Sequence, residues 1–390
     1  MRQSSFLMFL LFYKIYRCGG HNQSAQQIII EIHGVLRRNI YNKERLMLSK
    51  RLSGLVPYVP GEQPRDQEYI KLNTNESPFP PSLHVIEAVN AEASRLNLYP
   101  DPSADRLISA LAENFGIEKN RVFAANGSDE ILAFIFMGFC DNETPCYFPD
   151  ITYGFYEVYK NLCCLPGEKI PLKEDMTIDP RDYFDKDGVV IIANPNAPTG
   201  LCLGIDEVES IVKNNKNLVV IDEAYVDFGG QSALPLLKKY SNLAVVGTFS
   251  KSRNLAGGRV GYMLSSPEVI RDINTVKFSF NPYNINRLSM AAAEAALKDR
   301  QYFEECQKKI IENREFFTAE LERMGLFYLK SSANFVFAKV PDAAGVMGRL
   351  KSRGILVRYF DGPRVSDYLR ITIGTKQQME RLAACLREIV

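Results

Sequence analysis

Tryptophan is missing from the 390 residues, and histidine occurs only at His21, His33 and His84. These three lie far from one another and from the motifs below, so neither a zinc site nor a histidine-based triad is supported. Cysteine is found at Cys18, Cys140, Cys146, Cys163, Cys164, Cys202, Cys306 and Cys385, never in C-x-x-C spacing. A chain of this size needs no disulfide scaffold, and a reducing cytoplasm is the expected compartment. Charge of one sign is also lacking: 47 Lys and Arg face 46 Asp and Glu, a formal +1. That balance gives no bulk field for nucleic acid or an anionic membrane. No helix-turn-helix is evident before residue 50, no apolar run is long enough to span a bilayer, and no repeat or low-complexity tract interrupts the chain. The expected partners are therefore small molecules or a second copy of the chain.

What is present is ordinary globular material, 46% hydrophobic and 24% charged. Single cores stop growing near roughly 250–300 residues, which predicts two unequal lobes. Residues 1–46 stand apart as a dispensable extension. Phe6–Tyr13 is apolar and follows Arg2, like the start of a secretory signal, but Lys14, Tyr16 and Arg17 replace the small residues of a cleavage site. The codons of Lys43 and Glu44 can spell a purine-rich ribosome-binding sequence ahead of Met47, which makes Met47 the expected start.

From about residue 105, apolar runs alternate with helical patterns. VVIIAN (189–194), LVVID (218–222) and LAVVGTF (243–249) are short, continuously apolar and closed by polar or Gly-rich turns. Such strands predict a parallel sheet buried on both faces, hence the α/β class. Between Arg287 and Met324 the pattern turns helical and leaves the sheet. Beyond it, NFVFAKV (334–340), ILVRY (355–359) and YLRITIG (368–374) alternate with helices near 343–353 and 376–389, a smaller α+β lobe joined by the segment around 69–97. The expected division is a large domain at 98–300, with 47–97 and 301–390 forming the small domain and an N-terminal arm.

Chemistry gathers at the ends of the predicted strands, where ligands bind in open α/β sheets. LVVID ends on Asp222, followed by Glu223, Ala224 and Tyr225. A carboxylate there suits a protonated ring nitrogen, and taken alone it serves equally well as a helix cap. The next strand runs into Thr248-Phe249-Ser250-Lys251, with Gly257, Gly258 and Arg259 following. Strand alternation puts the hydroxyls of Thr248 and Ser250 on one side, and Arg259 adds a guanidinium, a set suited to phosphate. A lone lysine is usually solvated surface; among these neighbours Lys251 becomes a candidate nucleophile and general base. Asn126-Gly127-Ser128-Asp129-Glu130 precedes an apolar helical run, so its amides form either an anion site at a helix N-terminus or an ordinary cap. In YLRITI, alternation puts Leu369, Ile371 and Ile373 on one face and Arg370 with Thr372 on the other.

NPNAPTG (194–200), DEAYVDF (222–228), TFSKSRNLAGGRVGY (248–262) and YLRITIG (368–374), in that order, resemble the class I/II pyridoxal-phosphate aminotransferases over about residues 50–390. LNTNESPFPP (72–81), LYPDPSADRL (98–107), NGSDE (126–130) and SFNPYNINRLS (279–289) resemble the histidinol-phosphate aminotransferases within that family. The resemblance implies a fold type I enzyme using pyridoxal 5'-phosphate, with a mostly parallel central sheet in its large domain. It implies that Lys251 carries the cofactor as a Schiff base, that Asp222 pairs with the pyridinium nitrogen, that Tyr225 meets the phenolic oxygen and that Tyr153 stacks on the ring. For the phosphate it implies Ser128, Asp129, Thr248, Ser250 and Arg259, with Tyr99 reaching in from the partner of a homodimer. The family's asparagine at the position of Ala197 is absent, and Asn194 or Asn196 is the expected substitute. Arg370 would take the carboxylate of the amino-acid donor and Arg358 the substrate phosphate, or else Arg358 forms only a surface salt bridge. Tyr58 and Glu76 fall in segments resembling the family's mobile N-terminal lid. The implied reaction is imidazole-acetol phosphate with glutamate giving histidinol phosphate and 2-oxoglutarate in histidine biosynthesis. The alternatives are a threonine-phosphate decarboxylase, a broad aromatic aminotransferase, or a regulator that keeps the fold without turnover.

Overall fold

The structure, a computed structural model, describes residues 48–390. The expectations for residues 1–46 and for a start at Met47 lie outside the described residues. The chain divides into two compact units, Met1–Val56 and Pro57–Val390. The described part of the first carries a short 3-10 turn, Lys50–Leu52; all that follows concerns the second.

Among the described residues thirteen strands run in chain order as β1 (Ile70–Lys71), β2 (Val122–Ala125), β3 (Cys146–Pro149), β4 (Gly167–Ile170), β5 (Val189–Ala193), β6 (Val219–Asp222), β7 (Leu243–Thr248), β8 (Gly261–Leu264), β9 (Tyr328–Leu329), β10 (Phe335–Lys339), β11 (Ile355–Leu356), β12 (Arg358–Tyr359) and β13 (Tyr368–Thr372). Seven of them form the central sheet in the order β2-β8-β7-β6-β5-β3-β4. All its pairings are parallel except those made by β8, which runs antiparallel to both β2 and β7.

The sequence explains why this sheet is central. Every residue of β5, β6 and β7 is buried. Successive side chains of a strand point to opposite faces, and here they enter two different cores: Val190, Ile192, Val219 and Ile221 join one, Val189, Ile191 and Val220 the other. Each fully buried Val or Ile contributes about 1.5–3 kcal/mol relative to exposure. Unbroken apolar runs are thus what a sheet covered on both sides requires.

β12-β13-β10-β9 form an antiparallel sheet. One face, carrying Leu369 and Ile371, packs with Phe317, Leu350 and Leu382 from the helices Arg300–Arg323, Ala343–Ser352 and Lys376–Ile389. The helical stretch after 287 is two helices, Arg287–Lys298 and Arg300–Arg323, because Asp299 between them accepts a hydrogen bond from the Tyr302 amide and starts the second. The run ILVRY, read as one strand, is split. Ile355–Leu356 pairs in parallel with Ile70–Lys71, whereas Arg358–Tyr359 pairs with β13. The chain changes sheet at buried Val357.

Candidate active site

Parallel register brings the ends of β5, β6 and β7 to one edge: Ala193 lies beside Asp222, and Asp222 beside Val246. Asp222, the last residue of β6, and Lys251, three residues beyond β7, line one cavity of about 300 Å³. Asp222 is 4% exposed. One carboxylate oxygen accepts from the Tyr156 hydroxyl at 2.8 Å, the other from the Ala224 amide at 3.2 Å. Burial pushes this carboxyl up to about 6, and the Tyr156 hydrogen bond opposes the rise. A carboxylate removed from water without an ion-paired cation favours a positively charged ligand beside it. Glu223 points the other way, as strand alternation requires. It accepts from Ser232 Oγ and the Ala233 amide, each at 2.6 Å, and anchors the following loop. Burial pushes it up to about 8.

Lys251 Nζ donates to the Thr74 carbonyl at 3.3 Å and lies 5.8 Å from the centre of the Tyr225 ring. It forms no ion pair among the described residues, so the amine faces the cavity with a single carbonyl partner. Tyr225 and Tyr153 line the same cavity.

The start of the helix Ser128–Phe139 also lines the cavity, with Gly127 before it at φ +85°. Strand β8 lies against this helix start so closely that a Cβ on Gly261 would sit 2.3 Å from the Ser128 amide nitrogen. Only glycine permits that approach. Thr248 Oγ1 and Ser250 Oγ are 3.0 Å apart, and Arg259 reaches Ser250 Oγ at 3.5 Å. Helix-start amides, two hydroxyls and a guanidinium together form a cup for a small anion. Within it the Asp129 carboxylate is committed to Arg259 at 2.8 Å and to the Tyr153 hydroxyl at 2.7 Å. An acceptor cannot itself hold an anion, so the Asp129 side chain orients those two groups. Gly257 also lines the cavity and has open space where a Cβ would lie; Gly258 packs on Leu255.

The two asparagines of NPNAPTG have other occupations. Asn194 exchanges hydrogen bonds with the Leu203 amide and carbonyl, at 2.8 and 3.3 Å. Asn196 accepts from Thr152 Oγ1 at 2.7 Å and donates to the Ile151 carbonyl and Thr199 Oγ1. Neither lines the cavity, whereas Ala193 and Ala197 do. The asparagine that does reach Tyr225 is Asn75, whose Nδ2 donates to the phenol oxygen at 3.0 Å. Asn75, Tyr156 and Thr74 are the contributors that the motifs alone left unnamed. Tyr99 lies away from this chain's own cavity, 78% exposed and stacked on Tyr283 at 4.7 Å.

A wider cleft of about 760 Å³ adjoins Lys251 and is lined by Tyr58, Arg358 and Arg370. The two arginines lie directly opposite each other on β12 and β13. Like charges in that relation repel. Arg370 donates to the Asn73 carbonyl at 3.0 Å, sits between Phe335 and Phe360, and its buried Nε has no acceptor among the described residues. Arg358 donates to the Val59 and Pro60 carbonyls at 3.0 and 3.3 Å. Neither arrangement supplies a countercharge, so the pair is arranged for an anion. Among the described residues Arg358 forms no salt bridge. Glu76, also at the cavity edge, is ion-paired with Lys71 at 2.6 Å.

The family model described as Aminotransferase class I and II matches residues 67–386. A histidinol-phosphate aminotransferase of Clostridium acetobutylicum is 48% identical over 346 residues, covering 88% of this chain and 98% of that protein. One from Brachyspira hyodysenteriae is 48% identical over 348 residues, with 88% and 98% covered. The crystal structure of histidinol-phosphate aminotransferase from Sinorhizobium meliloti in complex with pyridoxal-5'-phosphate superposes with a TM-score of 0.79 at 26% identity, covering 88% of this chain and 97% of that one.

Proposed function

The chain belongs to the class I and II aminotransferase family, and on that premise we propose that it is a pyridoxal-phosphate enzyme moving an amino group from glutamate to imidazole-acetol phosphate. The products are histidinol phosphate and 2-oxoglutarate, a step of histidine biosynthesis. The observation that carries this reading is one cavity lined by three features: a buried carboxyl with no ion-paired cation among the described residues, a lysine amine, and an anion cup. The cofactor's three polar parts, ring nitrogen, aldehyde and phosphate, match them in kind.

When bound, pyridoxal phosphate supplies an electron sink for negative charge at the substrate carbon. Asp222, held by Tyr156 and the Ala224 amide, would keep a proton on the ring nitrogen. Ser128, Thr248, Ser250 and Arg259 would grip the phosphate, and Tyr153 and Tyr225 would bound the ring. Lys251 Nζ would hold the cofactor and then, as a neutral amine, move the substrate proton between carbon atoms. Arg370 would bind the donor's carboxylate and Arg358 would release the Val59 and Pro60 carbonyls to meet the substrate phosphate. The opposed pair thus serves both substrates in turn, and the names of the relatives point to the same phosphorylated imidazole compound.

The proposal takes 98–300 as the cofactor lobe, with 47–97 and 301–390 as the smaller lobe that brings the arginines. It also takes the enzyme as a cytoplasmic homodimer. Exposed Leu96, Leu98 and Tyr99, with Tyr283 beneath the Tyr99 ring, support a face covered by a second copy. Purified protein given histidinol phosphate and 2-oxoglutarate should form glutamate. Equal turnover of phenylalanine or tyrosine would instead make it a broad aromatic aminotransferase, and carbon dioxide release from threonine phosphate a decarboxylase.

A further inference from the structure

We infer that Asn75 is a positioning residue that fixes the direction of the Tyr225 phenol proton and turns it into the cavity, toward the cofactor's phenolic oxygen. The inference rests on the pyridoxal-phosphate reading and adds a residue to it.

The direction follows from hydrogen-bond arithmetic. The Asn75 backbone amide donates to Thr372 Oγ1 at 3.0 Å. The threonine hydroxyl, accepting there, gives its own proton to Asn75 Oδ1, also at 3.0 Å. The side-chain amide therefore has one orientation: Oδ1 accepts from Thr372, and Nδ2 is the donor that reaches Tyr225 Oη at 3.0 Å. Asn75 is the phenol's one hydrogen-bond partner among the described residues. A phenol that accepts from its neighbour keeps its single proton for another acceptor, and Tyr225 faces the cavity. Donation into the phenol oxygen also strengthens the phenol as a donor.

The backbone is arranged to hold this chain of bonds. Asn75 is 1% exposed with φ +57°, the left-handed region that asparagine tolerates better than most residues. Its carbonyl accepts from Asn334 Nδ2 at 3.0 Å. The loop 73–76 is thereby tied to β13 on one side and to the site on the other. Ala197, at the cavity wall, has no polar side chain to do the same work, and Asn194 and Asn196 are engaged elsewhere.

The test is the pH titration of the visible band of the cofactor-loaded protein. A donor to the cofactor's phenolic oxygen stabilises its negative charge and lowers the pH at which the neighbouring lysine-bound nitrogen loses its proton. Asn75→Gly, which keeps the left-handed backbone, should raise that pH by ~0.5–1 unit, the equivalent of one net hydrogen bond. Asn75→Asp, which keeps the acceptor for Thr372 and draws the phenol proton to itself, should raise it further. In a Tyr225→Phe background Asn75→Gly should add nothing, because the residue acts through the phenol. A merely structural role would lower the melting temperature and leave the titration alone. A shift with Tyr225→Phe but none with either Asn75 variant overturns this inference and leaves the cofactor reading standing. A wild-type protein that develops no visible band with pyridoxal phosphate overturns both.

Discussion

The edge of the seven-stranded sheet and the β12–β13 pair both present charge to one cleft, but they hold it differently. At the sheet edge Asp222 and Arg259 have internal partners, Asp222 in Tyr156 and the Ala224 amide and Arg259 in Asp129, and Lys251 is left with one carbonyl. On the smaller sheet Arg358 and Arg370 face each other, and among the described residues only carbonyls accept their hydrogen bonds. The first region is preorganised around a ligand that stays. The second is frustrated until an anion arrives, which suits substrates that come and go.

The contrast can be broken by substitution. Lys251→Ala should have the largest effect, at least about 10⁴-fold on turnover, because the proposed function makes the amine both anchor and base; a single-turnover assay checks it. Arg370→Ala should reduce kcat/KM by roughly 10²–10³-fold and Arg358→Ala less, with added chloride or phosphate competing, while both variants keep a normal cofactor spectrum. If either variant lost the visible band instead, the two regions would not be separable.

Asp222 gives a stability test of opposite sign. Its folded value of about 6 exceeds the ordinary 3.8, so the folded cofactor-free protein binds more protons between those values and loses stability as pH rises from about 4 to 6. The loss amounts to about 3 kcal/mol. Asp222→Asn removes it, and in urea melts the stability of the cofactor-free variant relative to wild type should grow by about that much from pH 4 to 7. The same variant should bind cofactor poorly. The smallest effect on chemistry is expected from Asn196→Ala, which should lower stability by about 1–3 kcal/mol through its unpaired neighbours yet leave the visible titration unmoved.

Local pattern made the preorganised region readable. Three unbroken apolar runs became β5, β6 and β7 within a residue or two, and their ends carried Asp222 and Lys251 to one edge. The helix start at Ser128 followed from its flanking residues in the same way. Antiparallel β8 gave no such signal, since GYML is short and its partners are β2 and β7. Asn75 lay in a Pro-rich loop, and its partners Tyr225 and Thr372 are 150 and 297 residues away, beyond any local period. Tyr156 carried no signal of its own, because the carboxylate it serves comes from a strand 66 residues away. The division of ILVRY between two sheets was likewise decided by partners, Ile70 on one side and Arg370 on the other.

The central claim is that Lys251, among all the lysines of this chain, carries the cofactor. Borohydride reduction of the pyridoxal-phosphate-loaded protein, followed by peptide mass spectrometry, fixes the cofactor to whichever amine holds it. The account predicts one phosphopyridoxyl group per chain on Lys251. The same mass on a different lysine, or none above background, would contradict it.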